Sequence, residues 1–298
     1  MTNGQADGAG TGQLGDLTVN RIGYGAMRLG GNGMAGNSAG APIDRAHAIR
    51  LLRTAVERGV NHIDTASFYF SALRSANELI NSALSPYPDE LVIVTKVGPG
   101  RGPSGEWLDL ARPDQLRGQV EENLRQLGRD HLDVVNLRRI KQESIAEHFG
   151  ALAELRQAGL IRHLGVSSVH PRHLAEAQEI APVVCVQNYY SLDHRAAEHS
   201  GLLELCRAQG IAFVPYFSIS GTQREAAAAG SDLAPVRAVA EAHGATPAQV
   251  RLAWLLAKAP NLLAIPGTTS LAHLEENMTS GQLELTEREL AELDAIDG

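Results

Sequence analysis

The chain has 298 residues, 44% of them hydrophobic, which is enough for a sizeable core in one large α/β domain or two ordinary ones without staples. Its formal charge of -8 comes from acids and bases interspersed along helical stretches, so the basic footprint of a nucleic-acid binder is absent. Two cysteines, Cys185 and Cys206, lie in apolar segments without C-x-x-C spacing and read as reduced, buried thiols of a cytoplasmic protein.

The start, "MTNGQADGAGTGQLG", has neither a basic n-region nor an apolar h-region, and no later apolar run has the length of a membrane span. We expect residues 1–15 to be an unstructured segment and 16–298 to form a single domain. From there short β-branched runs alternate with longer amphipathic ones, the mark of parallel β/α units. Eight strands are expected: "NRIGYGA" near 20–26, "VNHIDTA" at 60–66, "LVIVTKV" at 91–97, "LDVVNLR" at 132–138, "IRHLGVSS" at 161–168, "VVCVQN" at 183–188, "IAFVPYF" at 211–217 and "NLLAIPG" at 261–267.

Helical patterns such as "AHAIRLLRTAVERG" and "PDQLRGQVEENLRQLG" fill the gaps, each closing near a Gly. Thr246-Pro247-Ala248-Gln249 and Thr286-Glu287-Arg288-Glu289 are capping-box starts. Eight such units in one chain suit a (β/α)₈ barrel better than a doubly wound sheet. A literal G-x-G-x-x-G occurs at Gly31, Gly33 and Gly36, but it runs on into Pro42 instead of opening a helix, so we read a loop after the first strand and not a dinucleotide fingerprint.

In such a barrel, polar residues at the C-terminal strand ends gather round one pocket. The expected strands end on Asp64, Lys96, Arg138, Ser167 with Ser168, and Gln187 with Asn188, and Tyr69 follows the second strand closely. A phenol that donates a proton at neutral pH needs a cation beside it, and a buried ammonium needs a carboxylate to hold it charged. The combination therefore reads as Asp64 orienting Lys96, Lys96 tuning Tyr69, and Tyr69 passing a proton. His62 and His131 fall outside the strand-end positions and read as structural. No His and carboxylate ligand set appears at the strand ends, so no metal is expected.

At these residues the sequence resembles the aldo-keto reductase superfamily, whose barrel carries an Asp, Tyr, Lys and His tetrad and binds NADPH without a Rossmann fold. "IDTASFY" is similar to its strand 2 signature and "VTKVG" to its lysine motif. Within it, "NRIGYGAMRL", "LDVVNLR", "VVCVQNYY" and "IPGTTSLAHLEENM" are most similar to the pyridoxal reductases, also called pyridoxine 4-dehydrogenases.

The resemblance implies Asp64, Tyr69 and Lys96 as catalytic residues, with Arg138 standing where the superfamily commonly has His. Arg138 would polarise the carbonyl, lower the Tyr69 pKa and pair with a ring phenolate. The alternative is a salt bridge between Arg138 and a neighbouring carboxylate. For the cofactor, NADPH or NADP+, the resemblance implies Ser167, Ser168 and Gln187 at the carboxamide and Tyr216 stacked on the nicotinamide ring. Phe217 and Ser218 would lie along the pyrophosphate, and Gly267, Thr268, His273, Glu276 and Asn277 at the adenosine phosphate. The usual Lys and Arg of that last motif are Gly267 and His273 here. Met27 is assigned to the cofactor side of the pocket floor, and Trp107, on a Gly- and Pro-rich loop, to substrate stacking.

The expected activity is NADPH-dependent reduction of an aldehyde or ketone, pyridoxal to pyridoxine above all, with Tyr69 as general acid. A broad or pathway-specific carbonyl reductase, or a low-turnover NADP-binding subunit, stays open as an alternative. The expected partner is a small-molecule carbonyl compound, with neither nucleic acid nor membrane, and homo-oligomerisation left open.

Overall fold

The computed structural model describes residues 8–30, 43–71, 74–102, 106–219 and 233–296. The Gly-rich stretch with Gly31, Gly33 and Gly36 lies outside the described residues, as do residues 1–7. The described chain opens on an antiparallel hairpin, β1 (Thr11–Leu14) and β2 (Leu17–Asn20), turning at Gly15-Asp16 with Gly15 at φ 68°. This corrects the expectation of an unstructured start as far as residue 15. Two alternating apolar side chains, Leu14 and Val19, give the hairpin a face to bury, and both are fully buried.

Strand and helix then alternate: β3 (Tyr24–Gly25), α1 (Arg45–Glu57), β4 (His62–Asp64), α2 (Ala76–Leu84) and β5 (Val92–Val97). A second antiparallel hairpin follows, β6 (Pro99–Arg101) and β7 (Trp107–Leu110), where Gly and Pro density had suggested only loop. Next come α3 (Leu116–Leu127), β8 (Leu132–Arg138), α4 (Ala146–Gln157), β9 (Ile161–Ser167), α5 (Pro171–Gln178) and β10 (Val183–Tyr189). The last part holds α6 (Ala196–His199), α7 (Leu202–Ala208), β11 (Ala212–Tyr216), α8 (Ala234–His243), α9 (Pro247–Lys258), α10 (Leu271–Thr279) and α11 (Glu287–Asp294). Thr246 and Thr286 form the expected capping boxes on α9 and α11, and Gly128 and Gly244 end α3 and α8 in left-handed conformation.

Seven strands make one parallel sheet in the order β11-β10-β9-β8-β5-β4-β3. The eighth position is filled by residues 261–266, which bond to both edges. Leu263 N donates to Phe213 O at 3.0 Å and Phe213 N to Asn261 O at 2.9 Å. On the other side Ala264 N donates to Arg21 O and Gly23 N to Ala264 O, each at 2.8 Å. Parallel bridges Phe213 to Leu262 and Ile22 to Ala264 complete the closure, giving the (β/α)₈ barrel.

Alternation along the strands sorts the side chains. Val92, Val94, Val134, Cys185, Ala212, Val214 and Leu263 pack with Leu14 and Val19 in one cluster inside the barrel, so the opening hairpin is its floor. The larger cluster lies between sheet and helices. Burial pushes both the Cys185 and Cys206 thiols up to about 12, consistent with inert core groups. Among the described residues no helix is long and apolar enough to cross a membrane.

Candidate active site

Asp64 ends β4 and Lys96 lies near the end of β5, on neighbouring parallel strands and both facing inward. Lys96 Nζ donates to Asp64 Oδ1 at 2.6 Å and to Thr65 O at 2.8 Å. The second carboxylate oxygen, Asp64 Oδ2, accepts from Gln187 Nε2 at 2.7 Å. The pair is shut off from water, Lys96 being 2% exposed and Asp64 3%. A charge pair so buried stands only when nearly every donor and lone pair is satisfied, which this arrangement achieves. Burial works against the Lys96 charge, but the Asp64 carboxylate and Tyr69 outweigh it and raise its pKa.

The strand backbones are held from outside by a second set of buried polar groups. Thr65 Oγ1 donates to Asn77 Oδ1 at 2.7 Å, Thr95 Oγ1 to Asn123 Oδ1 at 2.6 Å, and Asn77 Nδ2 to Asn123 Oδ1 at 2.9 Å. All four residues are fully buried. Each threonine is the chain neighbour of a catalytic candidate, so α2 and α3 fix Asp64 and Lys96 through their outward-facing neighbours.

Tyr69 lies over this pair, with Lys96 Nζ 4.9 Å from its ring centre. Burial raises the phenol's pKa, Lys96 and Arg138 pull it down, and Asp64 opposes them; the net shift is upward. The expectation that cations would dominate is thus corrected. Tyr69 is a neutral, protonated acid across the physiological range.

Arg138 ends β8, its guanidinium carbon 6.0 Å from the Phe68 ring and 5.8 Å from the Trp107 ring. Trp107 stands on β7 and is 40% exposed. Phe68 joins the wall together, meeting Tyr69 edge-on at 5.3 Å and Trp107 at 5.6 Å. Arg101 of β6 closes on the same indole at 5.4 Å. Phe68 and Arg101 were not singled out in the sequence, although Phe68 sits inside the signature and Arg101 is the cation of "GPGRGPSGEW".

The carboxamide candidates lie at the ends of β9 and β10. Ser167 and Gln187 are paired in register and fully buried, and Ser167 Oγ and Gln187 Oε1 have no hydrogen-bond partner within the protein. Buried polar atoms left so are ready-made for a ligand that brings both a donor and an acceptor. Ser168 takes φ 62° and its Oγ lies 3.2 Å from Tyr216 OH. Tyr216 is backed by Tyr189, stacked at 5.8 Å, itself stacked on His194 at 3.8 Å. Phe217 holds φ 58°, strained for a bulky residue and of the kind that clusters at working sites, and Ser218 beside it is buried.

The far motif is built by close backbone approach. A Cβ on Gly267 would lie 2.7 Å from Gly25 O, and one on Gly25 would lie 2.5 Å from Ile265 O, so both positions require glycine. Tyr24 OH donates to Thr268 O at 2.7 Å, and Thr268 Oγ1 accepts from Ser270 N at 3.0 Å. Ser270 caps α10, accepting from His273 N. His273 is exposed and Glu276 half-buried, whereas Asn277 is on the buried face with Leu274 and Met278. His47 of α1, missed in the sequence, places Nε2 2.7 Å from Thr269 O. Met27 sits in a short 3₁₀ turn after β3, half-buried against the core. His62 is buried in the barrel, and His131 lies 3.7 Å from Asp133.

A pyridoxine 4-dehydrogenase of Escherichia coli (strain K12) is 46% identical over 95% of this chain and 96% of its own length. An uncharacterized oxidoreductase of Schizosaccharomyces pombe is 36% identical over 97% of this chain and 90% of its own. An aldo/keto reductase of Klebsiella pneumoniae, solved in complex with NADP and acetate, superposes with a TM-score of 0.78 at 28% identity, covering 95% of this chain and 94% of that one. Residues 21–298 match the Aldo/keto reductase family, and the chain belongs to that family.

Proposed function

We propose that this enzyme uses NADPH to reduce the aldehyde of pyridoxal-type compounds to an alcohol, with Tyr69 as the proton donor. The observation that carries the reading is the buried Asp64 and Lys96 pair directly beneath a protonated Tyr69. The similarity to a pyridoxine 4-dehydrogenase supports the substrate class.

The residues present fit the cofactor. Ser167 Oγ and Gln187 Oε1, buried and without protein partners, offer a donor and acceptors complementary to a carboxamide. Ser168, Tyr216, Phe217 and Ser218 would follow the nicotinamide and pyrophosphate, with Met27 on the pocket floor. Gly267, Thr268, His273, Glu276 and Asn277 would hold the adenosine end at the start of α10. When bound, the dihydronicotinamide supplies the hydride.

The chain's own part is proton delivery and charge. Tyr69 gives its hydroxyl proton to the carbonyl oxygen as negative charge grows there. Lys96 and Arg138 stabilise the phenolate left behind, and Asp64 keeps Lys96 charged and aimed. Arg138 also points a permanent cation at the substrate oxygen, where a neutral His would offer one hydrogen bond. In the oxidative direction Tyr69 is the base.

The test follows NADPH absorbance with pyridoxal and a panel of aldehydes and ketones, with Tyr69→Phe as control. Pyridoxal turnover abolished in the variant supports the reading. Turnover only of other carbonyls moves the substrate, and tight NADPH binding without any turnover replaces the enzyme by a binding subunit.

A further inference from the structure

Two guanidinium groups converge on one indole at the wall of the pocket. Arg101 Cζ is 5.4 Å and Arg138 Cζ 5.8 Å from the Trp107 ring centre, and the two arginines come from different elements, β6 and β8. Phe68 links this indole edge-on to Tyr69, so the charged wall is continuous with the proton donor. Arg101 also lies 5.8 Å from the Phe70 ring. One cation over an indole is an ordinary stabilising contact; two guanidiniums at one partly exposed ring make a positively charged wall around an apolar surface. The exposed Glu106 carboxylate acts on Arg101 and offsets part of its positive charge.

We propose that Arg101 and Arg138 select planar substrates that carry a negative charge, so that anionic aryl aldehydes are preferred over neutral aldehydes of the same shape. This rests on the carbonyl-reductase reading of the same pocket. An anionic oxygen at this wall is attracted by both guanidiniums, whose planar, permanently charged forks suit an oxyanion better than an ammonium does. The indole surface, 40% exposed, is covered by the substrate ring, which keeps the aldehyde turned toward Tyr69. Phenolate, carboxylate and phosphate substituents share this chemistry. Arg101 is thus a specificity residue, whereas Arg138 serves both charge selection and proton transfer.

The experiment compares 4-carboxybenzaldehyde with its methyl ester, which has the same ring and no charge. We expect the wild type to favour the acid in kcat/KM by about tenfold or more, mainly through KM, with the preference falling as salt is raised. Arg101→Gln lowers the acid-to-ester ratio by about tenfold, and Arg101→Lys restores only part of it. Glu106→Gln, which removes the counter-charge, raises the ratio. Equal kcat/KM for acid and ester in the wild type, or a ratio unmoved by Arg101→Gln and by Glu106→Gln, overturns the proposal.

Benzoate and benzamide, titrated into the NADP+-loaded protein and followed by tryptophan fluorescence, give the same comparison without turnover. Failure to reduce pyridoxal alongside a clear acid preference would sink the pyridoxal reading and leave this one standing. Indifference to charge with good pyridoxal turnover would do the reverse.

Discussion

Lys96 meets Asp64 at 2.6 Å with the two side chains 2% and 4% exposed, a full charge pair sealed inside the barrel. Asp64→Asn keeps the volume but strands the ammonium in a dry site. Breaking one partner of such a pair costs about 3 to 5 kcal/mol, read as a lowered urea midpoint. Turnover falls at least about 100-fold, because the phenol loses its oriented cation. A variant as stable as wild type would mean that Lys96 sheds its proton instead of staying charged.

With Tyr69 as the proposed proton donor, reduction slows as pH rises through the phenol's pKa. Burial holds that pKa above the ordinary phenol range while Arg138 pulls it down. Arg138→Gln removes one downward influence, so the alkaline limb of the reductive pH profile moves further up. Initial rates after brief high-pH jumps measure the shift. A limb that stays in place would leave Arg138 without electrostatic influence on the phenol.

Ser167 tests the cofactor site independently of chemistry. Its hydroxyl is buried without a protein partner, so Ser167→Ala leaves the cofactor-free protein as stable as before, or slightly more so. NADPH binding weakens by about 1 kcal/mol, roughly five- to tenfold in Kd, measured by quenching of intrinsic fluorescence. Unchanged affinity would remove Ser167 from the cofactor contacts.

His62 sets a pH dependence of folding. Its ring occupies the space beside Gly23, where a Cβ would collide with it, and neither ring nitrogen has a partner. Burial lowers its pKa from 6.5 to about 4. Between those values the unfolded chain binds a proton that the native state refuses. The stability is therefore complete above about 6.5 and declines as pH falls toward 4, by about 3 kcal/mol in all. Denaturation midpoints of wild type and His62→Leu, taken from pH 7 to 4, should converge in slope if other groups supply this dependence and diverge if His62 does.

The eight parallel units were legible because β-branched runs and amphipathic runs alternate without interruption. Asp64, Tyr69 and Lys96 were legible because a charge inside an apolar run has few harmless positions. The opening hairpin was not, since "MTNGQADGAGTGQLG" carries the composition of a loose end. Its signal was the two-residue Gly15-Asp16 turn between "TGQL" and "LTVN". The strand bearing Trp107 was hidden in the same way, by the Gly and Pro residues that precede it. Gln187 was read only as a cofactor ligand, because a contact with Asp64 across 123 positions of chain has no trace in local pattern. The net direction of the Tyr69 pKa depended on burial, which sequence spacing does not carry.

The floor hairpin also meets the eighth strand position and the helix before it. Leu14 and Val19 pack with Leu263, and Arg21, just after the hairpin, donates to the carbonyls of Leu256, Ala259 and Leu262 at 2.6, 2.7 and 3.1 Å. During synthesis the apolar side chains of this hairpin emerge well before the residues that will cover them, on the order of 240 positions of chain later. The barrel is therefore a vessel whose base plate is made early and fastened late: until the eighth unit arrives, the well beneath Asp64 and Lys96 has neither a closed wall nor a seated bottom, and this ion pair can become dry only once that unit is in place.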